Sequence, residues 1–191
     1  IRKDSIYCDK KNSIKRKSAR TLLDILFNNL VRWFAPSLVF TCEEAWKARG
    51  NISSIHLKDF EIINDSFKND EVNKKWKAVK NIRKVATGAL ELKRVDKIIG
   101  SSLEASIKIY TTSKIISDLE NIDLSEITIT SYASLVKSTN HDKAFSIDDI
   151  EDISVEINKA TGNKCHRCWK ITEEVNKKKD ICLRCEEVIS Q

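Results

Sequence analysis

Lys164–Cys185 reads KCHRCWKITEEVNKKKDICLRC, and its cysteines decide how the end of the chain folds. Cys165 and Cys168 form one pair, thirteen residues follow, and Cys182 and Cys185 form a second. Two pairs so spaced can set four thiolates at the corners of a tetrahedron. That is the coordination of a structural Zn2+ ion, with no position left for water. The span between the pairs is a little shorter than the commonest ribbon spacing but of the same type. A closed four-sulfur set points to scaffolding, and metal binding contributes about 10–16 kcal/mol of apparent free energy in zinc peptides, enough to fold a short tail. Other uses of the pairs stay open here. A redox dithiol usually opens the helix of a strand–helix unit, and no such unit precedes Cys165. Disulfides suit a chain with a secretory signal, and the first residues lack the apolar run of one. His166 lies between two better ligands.

The 191 residues suffice for one domain or two small ones. The start IRKDSIYCDK has no initiator Met and reads as a piece of a longer protein. The most apolar region, Leu22–Phe40, is interrupted by Asp24, Asn28, Asn29 and Arg32, so no membrane partner is expected. The expected compartment is the cytoplasm, with Cys8 and Cys42 as free thiols. Net charge is +6, and residues 1–20 alone carry eight Lys or Arg against two Asp. Such a basic patch favours a nucleic-acid partner, although a lysine-rich surface can also be merely solvated.

Ala19, Leu22, Leu23, Leu26, Phe27, Leu30, Val31, Trp33 and Phe34 recur at three- and four-residue steps, which predicts an amphipathic helix over 14–34 with this stripe as core. Pro36 ends it. Thr41 and Glu44 fit a capping box for a second helix, 42–49, stopped at Gly50. Residues 51–69 read as a connection, and Val72, Trp76, Val79, Ile82, Ala86 and Leu90 mark a long helix over 71–98. Alternation then predicts strands at 105–109, 127–130 and 153–157, with a short helix over 114–121 between the first two and a polar connection over 137–150. The fold class is therefore α+β: a partial helical bundle (1–60), a long helix with a small sheet (61–160) and a zinc module (161–191).

No catalytic constellation is visible, neither a glycine-rich phosphate loop nor GxSxG, and His56, His141 and His166 stand apart from one another. Arg167 lies inside the first cysteine pair and Trp169 directly follows it. A turn stiffened by metal would hold a guanidinium and an indole close together, which suits stacking on an unpaired base and gripping its edge or phosphate. Trp169 could equally roof the metal site and pack on the sheet.

Four stretches, in order, resemble the C-terminal region of the bacterial-type isoleucyl-tRNA synthetase family. KDSIYCD (Lys3–Asp9) resembles its lysine–aspartate–x–x–tyrosine segment. Arg16–Trp46 is similar to the helical anticodon-binding domain that the isoleucyl, valyl, leucyl and methionyl enzymes share. KIIGSSLEA (Lys97–Ala105) resembles the stretch between long helix and sheet, and KCHRCW with CLRC resembles the zinc finger shared with the formamidopyrimidine-glycosylase group. The resemblance implies a parent ligase that activates isoleucine with ATP, charges isoleucine tRNA and is monomeric. The HIGH and KMSKS motifs are absent, so ATP binding and editing are expected on other parts of that parent, and this fragment is expected to be non-catalytic. It also implies that Arg167 and Trp169 approach anticodon bases in the anticodon stem-loop. Lys10, Lys11, Lys15, Arg16, Lys17 and Arg20 are candidate phosphate contacts from charge alone. The alternative is a zinc-ribbon module of another protein, such as a glycosylase-type tail, against which Arg16–Trp46 speaks. A purely structural clip for the C-terminus is compatible with either.

Overall fold

In the computed structural model, which describes residues 2–138, 144–176 and 178–190, the predicted first long helix runs over Ile14–Phe34. A short helix that no periodicity announces, α1 (Arg2–Cys8), precedes it, so the long one is α2. Ser13 caps α2 by accepting a hydrogen bond from the Arg16 amide at 3.1 Å. The turn at Pro36 is tight, with the Leu38 N–H donating to the Phe34 carbonyl at 2.7 Å. The next helix, α3 (Val39–Ala48), therefore starts three residues before the predicted bound. Its N-cap is Leu38, without a side-chain cap, and Thr41 falls inside the helix, so the predicted capping box is not used. Glu43 instead accepts from the Ser54 hydroxyl and the Ile55 amide, both at 2.9 Å, and so ties down the following loop. Burial would raise the Glu43 carboxyl, but the Ile55 amide is the larger influence and lowers it.

These helices belong to one compact unit, Arg2–Lys68, with a small core of Val31, Ala35, Cys42, Trp46 and Ile55. Of the predicted core stripe Ala19 and Val31 are buried and Phe27 is half-buried against this core, but Leu22, Leu23, Leu26, Leu30, Trp33 and Phe34 are each 41–51% exposed. Periodicity placed them on one side of α2 correctly, but α1 and α3 are too few and too short to cover that side. Residues 51–69 contain two single 3-10 turns, Ile55–Leu57 and Asp65–Phe67.

The second unit, Asn69–Gln191, is a two-layer α+β structure. Its long helix α4 (Asp70–Val95) is capped by Asn69, with Asp70 and Glu71 at the start and Lys93 and Arg94 at the end, each suited to the helix dipole. Val79, Ile82, Val85, Ala86, Ala89 and Leu90 face the sheet and are buried there. The four-stranded sheet has order β2-β1-β4-β3, from β1 (Ala105–Thr111), β2 (Tyr132–Lys137), β3 (Phe145–Ile147) and β4 (Ile150–Lys159). β1 pairs in parallel with β2 and antiparallel with β4, Ile107 opposite Ala133 and Ile157. A parallel pair needs a crossover, supplied here by α5 (Ser113–Asp118) and α6 (Leu124–Thr128).

The strand predicted at 127–130 is not formed. Asp123 accepts from the amides of Ser125 and Glu126 and starts α6 instead, and Ile129, at φ +58°, ends it in a left-handed turn. The Ile-Thr alternation comes from Ile127 packing in the core while buried Thr128 and Thr130 bond each other at 2.9 Å. The second strand begins only at Tyr132. The connection predicted over 137–150 holds β3; its residues 139–143, with His141, lie outside the described residues. Among the described residues no helix is long and apolar enough to cross a membrane.

Ile107 is fully buried at the centre of the sheet. Ile107→Ala is expected to destabilise Asn69–Gln191 by about 2–5 kcal/mol, while Leu23→Ala on the uncovered side of α2 changes stability by about 0.5 kcal/mol or less. Denaturant unfolding of the two variants checks the contrast.

Candidate metal centre

After β4 the chain forms a two-stranded hairpin, β5 (Asn163–Lys164) and β6 (Ile171–Thr172), with Lys164 opposite Ile171. Gly162 leads into it at φ +110°, and a Cβ there would lie 2.4 Å from the Thr172 carbonyl carbon and oxygen. Only glycine fits such a backbone and such an approach. No local pattern in the sequence marks this requirement, which is set by Thr172 ten residues on.

Cys165 and Cys168 occupy the tip of the hairpin. Two backbone bonds close the tip: Cys165 N–H to the Lys170 carbonyl and Trp169 N–H to the Cys165 carbonyl, both 2.9 Å. Cys182 caps the last helix, α7 (Leu183–Ile189), and Cys185 lies in its first turn. The four Sγ atoms all lie within 4.8 Å of one another, and the Sγ atoms of Cys168 and Cys182 are 3.7 Å apart. Tetrahedral zinc with bonds of about 2.3 Å separates its sulfurs by about 3.8 Å, whereas a disulfide needs about 2.05 Å. No disulfide joins the described cysteines. The donor chemistry and the spacing therefore fit a zinc ion.

The thiols behave as such a set should. Burial pushes Cys168 and Cys182 up to about 11 and Cys185 up to about 12. At Cys165 burial acts in the same direction, but N–H groups of Cys168, Cys182 and Arg167 aimed at its sulfur outweigh it and bring the thiol down to about 6. The Cys182 amide approaches that sulfur at 3.4 Å. Backbone amides thus point at the cluster, as donors around a bound thiolate do.

The two proposed nucleic-acid contacts lie beside this centre. Trp169 has φ +67°, is half exposed, and carries the Lys164 ammonium 5.4 Å from its ring centroid. It does not roof the metal site as a buried residue would. Arg167 is half-buried within the tip. His166 is exposed on the outside of the tip, its amide bonded to the Asp180 carbonyl. In the other unit Lys10, Lys11, Lys15, Lys17 and Arg20 are exposed, but Arg16 is half-buried and donates to the Asp9 carbonyl at 2.9 Å, so its role is to join α1 to α2.

A family model described as "Anticodon-binding domain of tRNA ligase" matches residues 1–109, and another described as "Zinc finger found in FPG and IleRS" matches residues 162–188. Similar curated proteins bear the name Isoleucine--tRNA ligase. Those of Bartonella henselae, Brucella abortus (strain 2308) and Rhodopseudomonas palustris are 42%, 44% and 40% identical over 177, 177 and 181 residues. In each case 92% of this chain and 18% of the relative are covered, so the chain spans less than a fifth of their length.

Zinc capture at pH 7 is expected to release about three protons, because three of the four thiols are held protonated at that pH while Cys165 is already ionised. Calorimetry in buffers of different ionisation heat counts them; release of four would mean that the sulfurs are not gathered before the ion arrives. Stripped of metal, the folded state is favoured by the three raised thiols below the ordinary thiol range, and loses that contribution as pH climbs through about 11 to 12. The Cys165 contribution runs the other way and is lost as pH falls through about 6. Gly162→Ala is expected to cost more than about 1 kcal/mol and to speed zinc loss to a chelator.

Proposed function

The chain belongs to the anticodon-binding family of tRNA ligases, and from that premise we propose that it is the anticodon-arm-binding region of an isoleucine–tRNA ligase. The longer protein activates isoleucine with ATP and transfers it to its tRNA, and this region supplies grip and recognition without taking part in the chemistry. The observation that carries the reading is the half-exposed Trp169, seated in a left-handed backbone directly beside a four-cysteine metal centre.

The roles follow from the side chains. Cys165, Cys168, Cys182 and Cys185 hold one zinc ion, which supplies no reaction chemistry and fixes the hairpin tip. Trp169 offers an indole face to an unpaired anticodon base, a contact worth about 1–3 kcal/mol. Arg167 reaches the edge or phosphate of a neighbouring nucleotide. Bases in a single-stranded loop are splayed and can be read at their faces and edges. Lys10, Lys11, Lys15, Lys17 and Arg20 add phosphate contacts, whose contribution falls with rising salt. Residues 1–60 act as the helical part, 61–160 as the junction and 161–191 as the zinc module. We place the protein in the cytoplasm as a monomer. The match over residues 1–109 favours this reading over a glycosylase-type tail.

Titration with isoleucine tRNA and with a variant carrying a different anticodon tests the proposal at moderate salt. The cognate anticodon is expected to bind more tightly. Trp169→Ala, with zinc retained, is expected to weaken cognate binding by about 1–3 kcal/mol. Equal affinity for both RNAs, or an unweakened Trp169→Ala variant, would remove the anticodon from the site.

A further inference from the structure

The two residues that follow Trp169 are both fastened to the α6–β2 segment. The Lys170 ammonium donates to the Ser125 hydroxyl at 3.0 Å, and that hydroxyl donates to the Asp123 carboxylate at 2.7 Å. The Ile171 amide donates to the Ser131 hydroxyl at 2.7 Å. Ser131 is buried and reaches three ways. Its hydroxyl donates to the Leu103 carbonyl, its amide donates to the Ala105 carbonyl at 3.0 Å, and it accepts from Ile171. One serine thus joins the start of β1 to the first residue of β6.

Trp169 is held from the other side by its own amide on the Cys165 carbonyl. The metal centre ties the tip, through Cys165 and Cys168, to the start of α7, through Cys182 and Cys185, but two strands of two residues each hold the hairpin itself only weakly to the sheet. The bonds to Ser131 and Ser125 strengthen that hold. The left-handed turn at Ile129 is what brings Ser131 under β6, since the Thr130 amide folds back to the Ser125 carbonyl at 2.9 Å.

We propose that Ser131, assisted by Ser125, is a positioning residue for RNA binding: it locks the strand after Trp169 to the sheet and so sets the direction in which the indole faces its base. The role rests on the reading of Trp169 as a base-stacking residue. It is distinct from the zinc role, because neither serine belongs to the four-cysteine set that would hold the metal.

The test uses the full chain with zinc bound and 5-fluorotryptophan at its four tryptophans, the Trp169 signal being assigned with Trp169→Phe. Ser131→Ala removes the acceptor of the Ile171 amide. Ser125→Ala frees Lys170 without changing its charge, at a half-buried position whose backbone amide still donates to the capping Asp123. Both variants are expected to keep one zinc per chain and the signals of Trp33, Trp46 and Trp76, to shift or broaden that of Trp169, and to weaken isoleucine tRNA by about three- to tenfold. Should Ser131→Ala lose its zinc, Ser125→Ala carries the comparison. Unchanged affinity in the zinc-loaded variants overturns the proposal, and so does weakened affinity with an unmoved Trp169 signal. If Trp169→Ala itself binds as tightly as the native chain, the stacking reading fails and the positioning role falls with it. If Trp169→Ala is weakened while the serine variants are not, only the positioning role falls.

Discussion

Four sulfurs within 4.8 Å of one another, three of them on buried residues, cannot all be ionised without a cation among them. That electrostatic conflict governs the end of the chain. Burial answers it, in the absence of a cation, by raising three thiols to about 11 or 12 and so keeping them neutral. A divalent ion answers it by replacing the protons and turning repulsion into coordination. The surrounding elements depend on that exchange. β5 and β6 have two residues each and α7 seven, all too short to persist in water unaided. Cys182 joins the two requirements, since the residue that offers a sulfur is also the one from which α7 starts.

Much of this was legible in the sequence, for reasons that differ element by element. Helix α2 was bounded correctly because Pro36 is a strong local stop at the end of a clear three-four period. The cysteine pairs were legible because ligand spacing is itself a geometric constraint. The strand at 127–130 was misread because four residues of Ile and Thr satisfy a period of two by chance, and the decisive signal, Asp123 as a cap, lies outside that window. Thr41 and Glu44 misled in the same way: the residues match a capping box, but the proline turn had already started α3 at Val39. Gly162 was silent, because a requirement set by the Thr172 carbonyl ten residues on leaves no local trace.

The two units also show what periodicity leaves out. α2 and α4 carry similar apolar stripes. On α4, Ile82 and Val85 are wholly buried under a sheet, whereas on α2 Leu26 and Leu30 remain more than 40% exposed. A stripe records that a helix has two unlike sides. What covers the apolar side depends on how much of the rest of the fold is at hand, and in Arg2–Lys68 the core around Trp46 is small.

Trp169 brings the metal and the fold to one point. A bulky residue at φ +67° holds a backbone conformation that costs about 1–3 kcal/mol and persists only where neighbours over-determine it. Here they do. The Trp169 amide is taken by the Cys165 carbonyl, the Cys165 amide by the Lys170 carbonyl, and the next strand by Ser131. In a relaxed turn an indole would wander and its ordering would oppose every association. In the stacking contact proposed for it, a ring fixed beforehand gives nearly its whole stacking energy, because the cost of ordering was met when the chain folded. The strain at Trp169 and the ion beside it are therefore parts of a single device: the metal supplies the rigidity that keeps an unfavourable backbone in place, and that backbone turns the ring outward instead of into the core.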